Sequence, residues 1–193
     1  LLITADRNGG VQVWEAATAQ PYSELKGHTL AVTDVAWRDD SNLAATAGED
    51  GQIMLWELEN GSRVKNWSAH AGGVKAVRFA HDGRLVSAGR DRITKLWDGN
   101  GAQQRAFEPF GDIALVADVS SDMTRIVAGD YTGDVRVWNT TNGALIGKFD
   151  ANPPTLAQRI EGDDRRLAEA RVTHEKLTAA YTSAQGAMNQ AMI

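Results

Sequence analysis

Tryptophan recurs along this 193-residue chain at a nearly constant spacing. Trp14, Trp56, Trp97 and Trp138 are separated by 42, 41 and 41 residues. Each closes a similar stretch, in which a small-residue segment is followed by a turn and a short apolar run. Self-similarity at a period of roughly 40 to 45 residues indicates one supersecondary unit that is copied and stacked, because a single copy cannot bury its own apolar face.

The second copy is the best preserved and predicts the content of one unit. Alternating or apolar segments at 31–37, 43–47, 53–58 and 64–68 are separated by polar, turn-forming segments, a pattern typical of four antiparallel strands. The third and fourth copies repeat this pattern, whereas the first starts at its second strand. Residues 1–150 are therefore predicted to form 15 strands, as three full four-stranded blades and one blade that lacks its innermost strand.

The residues around two of these tryptophans carry a recognisable motif. Gly27-His28 accompanies Trp56-Glu57, and Ala69-His70 accompanies Trp97-Asp98. In this the chain resembles the WD40-repeat β-propeller family, bacterial multidomain members included. The resemblance implies an all-β propeller and one hydrogen-bonded set of four side chains in a complete blade. Mapped by spacing, the two sets are His28, Thr46, Asp50 and Trp56, and His70, Ser87, Asp91 and Trp97.

The end copies depart from the pattern. The first has Asn8 where the family has Asp, and its His would precede residue 1. The fourth has Phe110, Ala128 and Thr132 in place of His, hydroxyl and Asp, with Asp130 and Asp134 flanking the vacant position.

A grouping of His, Ser and Asp also occurs in hydrolases. Here it occurs twice at equal spacing, and the sequence has no Gly-x-Ser-x-Gly nucleophile motif. Mutual hydrogen bonding of buried polar groups explains it better, so the sequence predicts a protein that is not an enzyme.

Composition narrows the possible functions. The absence of cysteine excludes disulfides and thiolate metal sites within this chain. No nucleotide-binding loop or metal-ligand spacing occurs, so neither a cofactor nor a metal is predicted. A net charge of −5 disfavours nucleic acid, and no apolar run approaches a membrane span. The compartment, cytoplasmic or periplasmic, stays open.

The resemblance implies that proteins or peptides dock on the turns around the central channel. The positions just before the turn Asp are Arg7, Glu49, Arg90 and Tyr131, which form the predicted partner-binding face. The alternative function is an accessory region of a larger extracytoplasmic enzyme or an electron-transfer, cytochrome-like protein.

Four blades, one of them incomplete, would leave an apolar blade face uncovered at each end of the row. Missing blades upstream, a second copy or a partner chain could cover these faces. The start at Leu1, inside a blade, favours the first of these and predicts that the blades are part of a larger ring.

Residues 151–193 have a different pattern. A Pro153-Pro154 break is followed by Thr155 and Gln158, which are spaced as a helix capping box. Apolar residues then recur in heptads, with Ile160, Leu167 and Tyr181 on one set of positions and Leu156, Ala170 and Leu177 on the other. This predicts a helix of about 35 residues, either pairing in a coiled coil and oligomerising the protein or docking within the protein.

Overall fold

The computed structural model describes residues 1–39, 42–152 and 154–191. It divides into two compact units, Leu1–Ala151 and Asn152–Ile193. The first unit is built from strands, and the second contains one helix. Pro153 of the predicted Pro-Pro break lies outside the described residues. Within the described ranges, no helix has both the length and the apolar character needed to cross a bilayer.

Strands form four antiparallel sheets, each made of strands consecutive in sequence. The first blade has β1 (Leu2–Ala5), β2 (Val11–Glu15) and β3 (Gln20–Leu25). The second has β4 (Val32–Trp37), β5 (Leu43–Gly48), β6 (Gln52–Glu57) and β7 (Ser62–Ser68). The third has β8 (Val74–Phe79), β9 (Leu85–Gly89), β10 (Thr94–Trp97) and β11 (Gln103–Ala106). The fourth has β12 (Ala114–Val119), β13 (Arg125–Asp130), β14 (Asp134–Asn139) and β15 (Leu145–Asp150).

The predicted count and grouping of the strands are confirmed, including the three-stranded first blade. In the second blade, strand ends differ from the sequence boundaries by no more than two residues. Tight turns between strands depend on glycine in places. Gly51 has a φ of +80°, and a Cβ there would lie 2.5 Å from the carbonyl oxygen of His70. Only glycine tolerates both that conformation and that approach.

Neighbouring blades pack through one repeated arrangement. In the second, third and fourth blades, the Trp of the third strand faces the blade before it, and we call this side of every blade the trailing face. The opposite side, the leading face, presents the residues one and three positions before that Trp and a large residue of the fourth strand. Leading residues Val11, Val13 and Leu25 pack in one buried cluster with Trp56. Ile53, Leu55 and Trp67 pack in the next cluster with Trp97.

The third contact, between the third and fourth blades, follows the same rule. Leu96 and Phe107 pack in one cluster with Trp138, and the rings of Phe107 and Trp138 are 5.1 Å apart. Trp67 and Trp97 are similarly placed, at 5.7 Å. Offset or tilted aromatic pairs at such distances add to the stabilisation from area burial alone.

Polar groups also join the inner strands of the second and third blades. The Thr33 hydroxyl lies 3.1 Å from the carbonyl oxygen of Ala47 and 2.9 Å from that of Val74, and its one proton is shared between them. Asp34 accepts a hydrogen bond of 2.9 Å from the N–H of Val77 and forms an ion pair with Arg78. The polar ends of these strands are thereby paired across the blade boundary.

The second unit contains one α-helix, α1 (Leu156–Ala191), of 36 residues. The capping box is formed: Thr155 N donates to Gln158 Oε1 at 2.8 Å, and Gln158 N donates to Thr155 Oγ1 at 3.3 Å. Arg165 pairs with Glu161 four residues earlier. Within this unit the helix has no second described helix to pack against, and Leu167 and Leu177 are exposed. The helix is therefore shown, whereas its pairing in a coiled coil stays a prediction.

Candidate functional site

The structure brings together the four side chains that the second copy was expected to group. His28 Nδ1 lies 2.9 Å from Asp50 Oδ2, and His28 Nε2 lies 2.8 Å from Thr46 Oγ1. Trp56 Nε1 donates to the same hydroxyl at 2.8 Å. The indole only donates and the Asp50 carboxylate only accepts, so Thr46 accepts from Trp56 and Nδ1 of His28 carries the proton toward Asp50; in that neutral tautomer Nε2 accepts from the Thr46 hydroxyl. The four groups thus form one directed chain of hydrogen bonds.

The third blade repeats this arrangement. His70 Nδ1 lies 2.7 Å from Asp91 Oδ1, and His70 Nε2 lies 2.7 Å from Ser87 Oγ. Trp97 Nε1 donates to Ser87 Oγ at 2.8 Å. Lys95 Nζ adds a contact of 3.0 Å to Asp91 Oδ2. The sequence motif did not include this lysine, which precedes Trp97 by two residues and points to the same end of the blade.

Electrostatics keep His70 neutral and Asp91 ionised at neutral pH. Burial lowers the pKa of His70, and the hydrogen bond to Asp91 offsets only part of that effect. Burial alone would raise the pKa of Asp91. The hydrogen bonds from His70, Lys95 and the N–H of Ile93 outweigh it and hold that pKa below the ordinary value.

This geometry does not expose a nucleophile. Ser87 and Thr46 are each 0% exposed. Each hydroxyl oxygen already accepts a hydrogen bond from an indole and contacts an imidazole. A substrate would have to displace the core to reach them, so each set links the strands and turns within its own blade.

Two glycines make room for the histidines. A Cβ on Gly48 would lie 2.5 Å from His28 Nδ1, and a Cβ on Gly89 would lie 2.4 Å from His70 Cγ. The first and fourth blades carry Asp6 and Asp130 at this position, eight residues before the Trp. There the carboxylate folds back on its own turn: Asp6 Oδ1 accepts from Gly10 N at 2.9 Å, and Asp130 Oδ1 from Asp134 N at 2.9 Å.

The fourth blade replaces the polar set by aromatic packing. Phe110 stands in the position of His and contacts Trp138 edge to face, with ring centres 5.7 Å apart. The guanidinium of Arg136 lies 4.6 Å from the centre of the Phe110 ring. Asp134 binds Arg136 at 2.9 Å. Ala128 supplies no hydroxyl, and the buried Nε1 of Trp138 has no hydrogen-bond partner among the residues that the structure describes.

The first blade retains one bond of the set. Trp14 Nε1 donates to Thr4 Oγ1 at 2.8 Å. Unlike its buried counterparts in the second and third blades, this pair is accessible to solvent. It lies on the trailing face of the first blade, which no described blade covers.

The predicted partner-binding face is partly assembled by ion pairs. Arg90 binds Glu49 at 3.0 Å, and Lys75 binds the same carboxylate oxygen at 3.3 Å. These hydrogen bonds lower the pKa of Glu49. Arg7 and Tyr131 lie on other turns, and Tyr131 is 73% exposed. Lys75 was missed because it belongs to strand β8 and the mapping considered turn residues alone.

The described residues include no group of three His, Cys, Asp or Glu side chains placed to hold a metal ion. The fold and site therefore define a class: antiparallel blades packed side by side through apolar faces, two of which carry an internal hydrogen-bonded polar set. Residues 19–57 and 61–98 match the WD40 family, described as WD domain, G-beta repeat. The chain belongs to the WD40-repeat family. The two matched segments contain the two complete polar sets.

Relatives extend the likeness beyond those segments. The chain is 32% identical to transducin beta-like protein 3 of Bos taurus over 189 residues, covering 90% of this chain and 22% of that protein. It is 27% identical to eukaryotic translation initiation factor 3 subunit I of Candida albicans over 171 residues, covering 79% and 48%. The chain thus spans less than half the length of either relative.

Solved structures share the fold. A chain of the computationally designed Ika8 protein superimposes with a TM-score of 0.70 and 26% identity, covering 78% of this chain and 46% of that one. A chain of the mitotic checkpoint complex gives a TM-score of 0.72 at 17% identity, covering 77% and 49%. In both cases the shared part amounts to about half of the solved chain.

Proposed function

We propose that this chain is a non-enzymatic protein-interaction scaffold that docks a protein or peptide on the turn face containing Arg7, Glu49, Arg90 and Tyr131. The observation that carries the proposal is the junction of Glu49, Lys75 and Arg90, which joins turns and strands of two adjacent blades. The neighbouring polar sets are occupied by internal hydrogen bonds, so they serve to hold these turns in place.

The charges at the junction favour an acidic partner. One carboxylate, Glu49, is shared by two cations, and the Arg90 side chain remains 44% exposed. Arg7 adds a further exposed cation on the corresponding turn of the first blade, between β1 and β2. A Glu- or Asp-bearing segment can bind these cations without displacing Glu49, since guanidinium has several donors. Tyr131 offers an aromatic surface of the kind enriched at protein interfaces.

Titration of the labelled protein with two synthetic peptides tests the docking face. A Glu-rich peptide should shift the NMR resonances of Arg7, Lys75, Arg90 and Tyr131, and its Gln-substituted counterpart should not. Arg90→Ala should weaken binding severalfold. Arg84→Ala is the matched control, because Arg84 is ion-paired to Asp82 on a different turn. Equal responses to the two peptides, or equal effects of the two Ala variants, would contradict the proposal.

The helix has a separate role in this proposal, either in oligomerisation or in docking within a larger protein. Exposed Leu167 and Leu177 belong to its heptad pattern and supply apolar surface for such a contact. Oligomerisation through the helix predicts that the mass in solution falls when both leucines are replaced by Asp. An unchanged mass would leave docking within a larger protein as the remaining role.

A further inference from the structure

The turn between β9 and β10 contains two arginines, Arg90 and Arg92, on either side of Asp91. Arg90 already belongs to the junction with Glu49 and Lys75. We propose that Arg92 is a second anchoring cation of the turn face, which binds a further carboxylate of the same acidic segment. This role rests on the docking function proposed above and deepens it, because it makes a segment with two acidic side chains the preferred partner.

Arg92 has a backbone conformation that disfavours side chains. Its φ is +67°. The other three blades have glycine at this position, five residues before the third-strand Trp, with φ of +87°, +80° and +91° at Gly9, Gly51 and Gly133. Glycine adopts left-handed backbone at no steric cost, whereas a residue with a Cβ is strained there. The turn is therefore formed more easily with glycine than with arginine.

The Arg92 side chain makes no internal polar contact that would offset this strain. It is exposed, and its guanidinium has neither an ion pair nor a hydrogen bond within the described part of the chain. Its backbone N–H donates to the Gly89 carbonyl at 3.1 Å, and its carbonyl accepts from the Phe110 N–H at 2.9 Å. Glycine could make both of these bonds. Because strained residues cluster at binding sites, a contact outside the chain accounts for the arginine.

Positive charge is in excess around this turn. Asp91 is turned inward, where it bonds to His70 and to one cation, Lys95. Glu49 is shared by two cations, and Arg92 has no anion of its own. Two carboxylates thus offset two of four cations, in a chain whose net charge is −5. Two acidic side chains of a partner would neutralise the surplus, and guanidinium offers paired donors that match a carboxylate.

Calorimetric titration with the Glu-rich peptide tests the role of Arg92. Arg92→Ala should weaken binding about two- to fivefold, the range for an exposed ion pair. A set of peptides in which each Glu in turn is replaced by Gln should then locate the contact. One peptide of the set should bind unmodified protein and Arg92→Ala equally, because it lacks the carboxylate that Arg92 holds. A different peptide should show this equality for Arg90→Ala.

Arg92→Gly separates binding from folding. It removes the guanidinium and relieves the backbone, so peptide binding should weaken as in Arg92→Ala while the Tm rises by about 2 to 4 °C. Met123→Gly is the matched control. Met123 has a φ of +57°, and its N–H donates to the Ser120 carbonyl at 2.8 Å in the turn between β12 and β13. That turn lies at the opposite end of β13 from the turn face, so the Tm should rise and binding should not change.

The outcomes distinguish the role of Arg92 from the docking face as a whole. Unchanged peptide binding in both Arg92 variants, with weakened binding in Arg90→Ala, would overturn the role of Arg92 and leave the docking face standing. A Glu-rich peptide that does not bind the unmodified protein would overturn the docking face and the role of Arg92 together. A Tm that falls in Arg92→Gly would overturn the inference as well, because it would show that the fold itself needs the arginine.

Discussion

Trp97 Nε1 donates a hydrogen bond of 2.8 Å to Ser87 Oγ, and the corresponding pair in the fourth blade, Trp138 and Ala128, has no hydroxyl to accept it. Both tryptophans are nearly fully buried, at 4% and 1% exposed. One core position therefore occurs in a paired and an unpaired form within the same chain. The contrast allows the contribution of the polar set to be measured without reference to another protein.

Ala128→Ser should stabilise the strand unit. The new hydroxyl oxygen can accept from Trp138 Nε1, and a buried hydrogen bond of this kind contributes about 1 kcal/mol. The free energy of unfolding, from urea denaturation, should rise by about that amount. Val127→Ser, one residue earlier and on the exposed side of β13, is the control and should show no gain. Equal responses of the two variants would show that the unpaired indole is not the cause.

Ser87→Ala should have the opposite effect and a larger one. It removes the acceptor of Trp97 and the partner of His70 Nε2 in one step, which leaves two buried polar groups unpaired. The expected cost is about 2 to 6 kcal/mol, since two groups are left unpaired and each such group costs about 1 to 3 kcal/mol. The double variant with His70→Phe, which copies Phe110 of the fourth blade, should lose less than the sum of the two single variants. Strict additivity in denaturation experiments would show that the two residues do not act together.

Gly89→Ala should destabilise the third blade because its Cβ would approach His70 Cγ to 2.4 Å. The ring is buried and hydrogen-bonded at both nitrogens, so it has little freedom to move. Overpacking of this kind costs about 1 to 3 kcal/mol. Gly129→Ala is the matched control, because this strand glycine is also buried but its nearest neighbour would be 3.6 Å away. Thermal unfolding should separate the two variants clearly.

The period of the tryptophans was enough to predict the blades, because strand alternation and turn residues recur at fixed offsets from each Trp. The two polar sets were implied by the resemblance to the WD40 family and were mapped onto this sequence by spacing, and the structure places their members within hydrogen-bonding distance. The strand pattern can be read from a single sequence, whereas the sets also required the motif of the family.

Contacts between repeats could not be predicted from the sequence. Lys75 reaches Glu49 across a blade boundary, and Arg78 reaches Asp34 across the same boundary. Their positions depend on the twist and spacing of adjacent sheets, and no local motif encodes those distances. The accessory-region alternative stays a prediction, and a Cys-x-x-Cys-His motif encoded upstream of Leu1 would favour it.

Acidification should weaken the strand unit through His70. Burial holds the pKa of His70 below its ordinary value of 6.5, so the unfolded chain takes up the proton first as the pH falls. The stabilising contribution of neutral His70 is therefore complete above about pH 6.5, is lost as the pH falls from there through the folded-state pKa, and does not change further below it. Asp91, whose folded-state pKa is also lowered, loses its contribution at more acidic pH.

Urea denaturation between neutral and mildly acidic pH should show this fall in the free energy of unfolding in the unmodified chain. His70→Gln should flatten it while lowering stability throughout, and His81→Gln, which removes an exposed imidazole, is the control for general loss of a histidine. A slope that persists in His70→Gln would assign the pH dependence to another group.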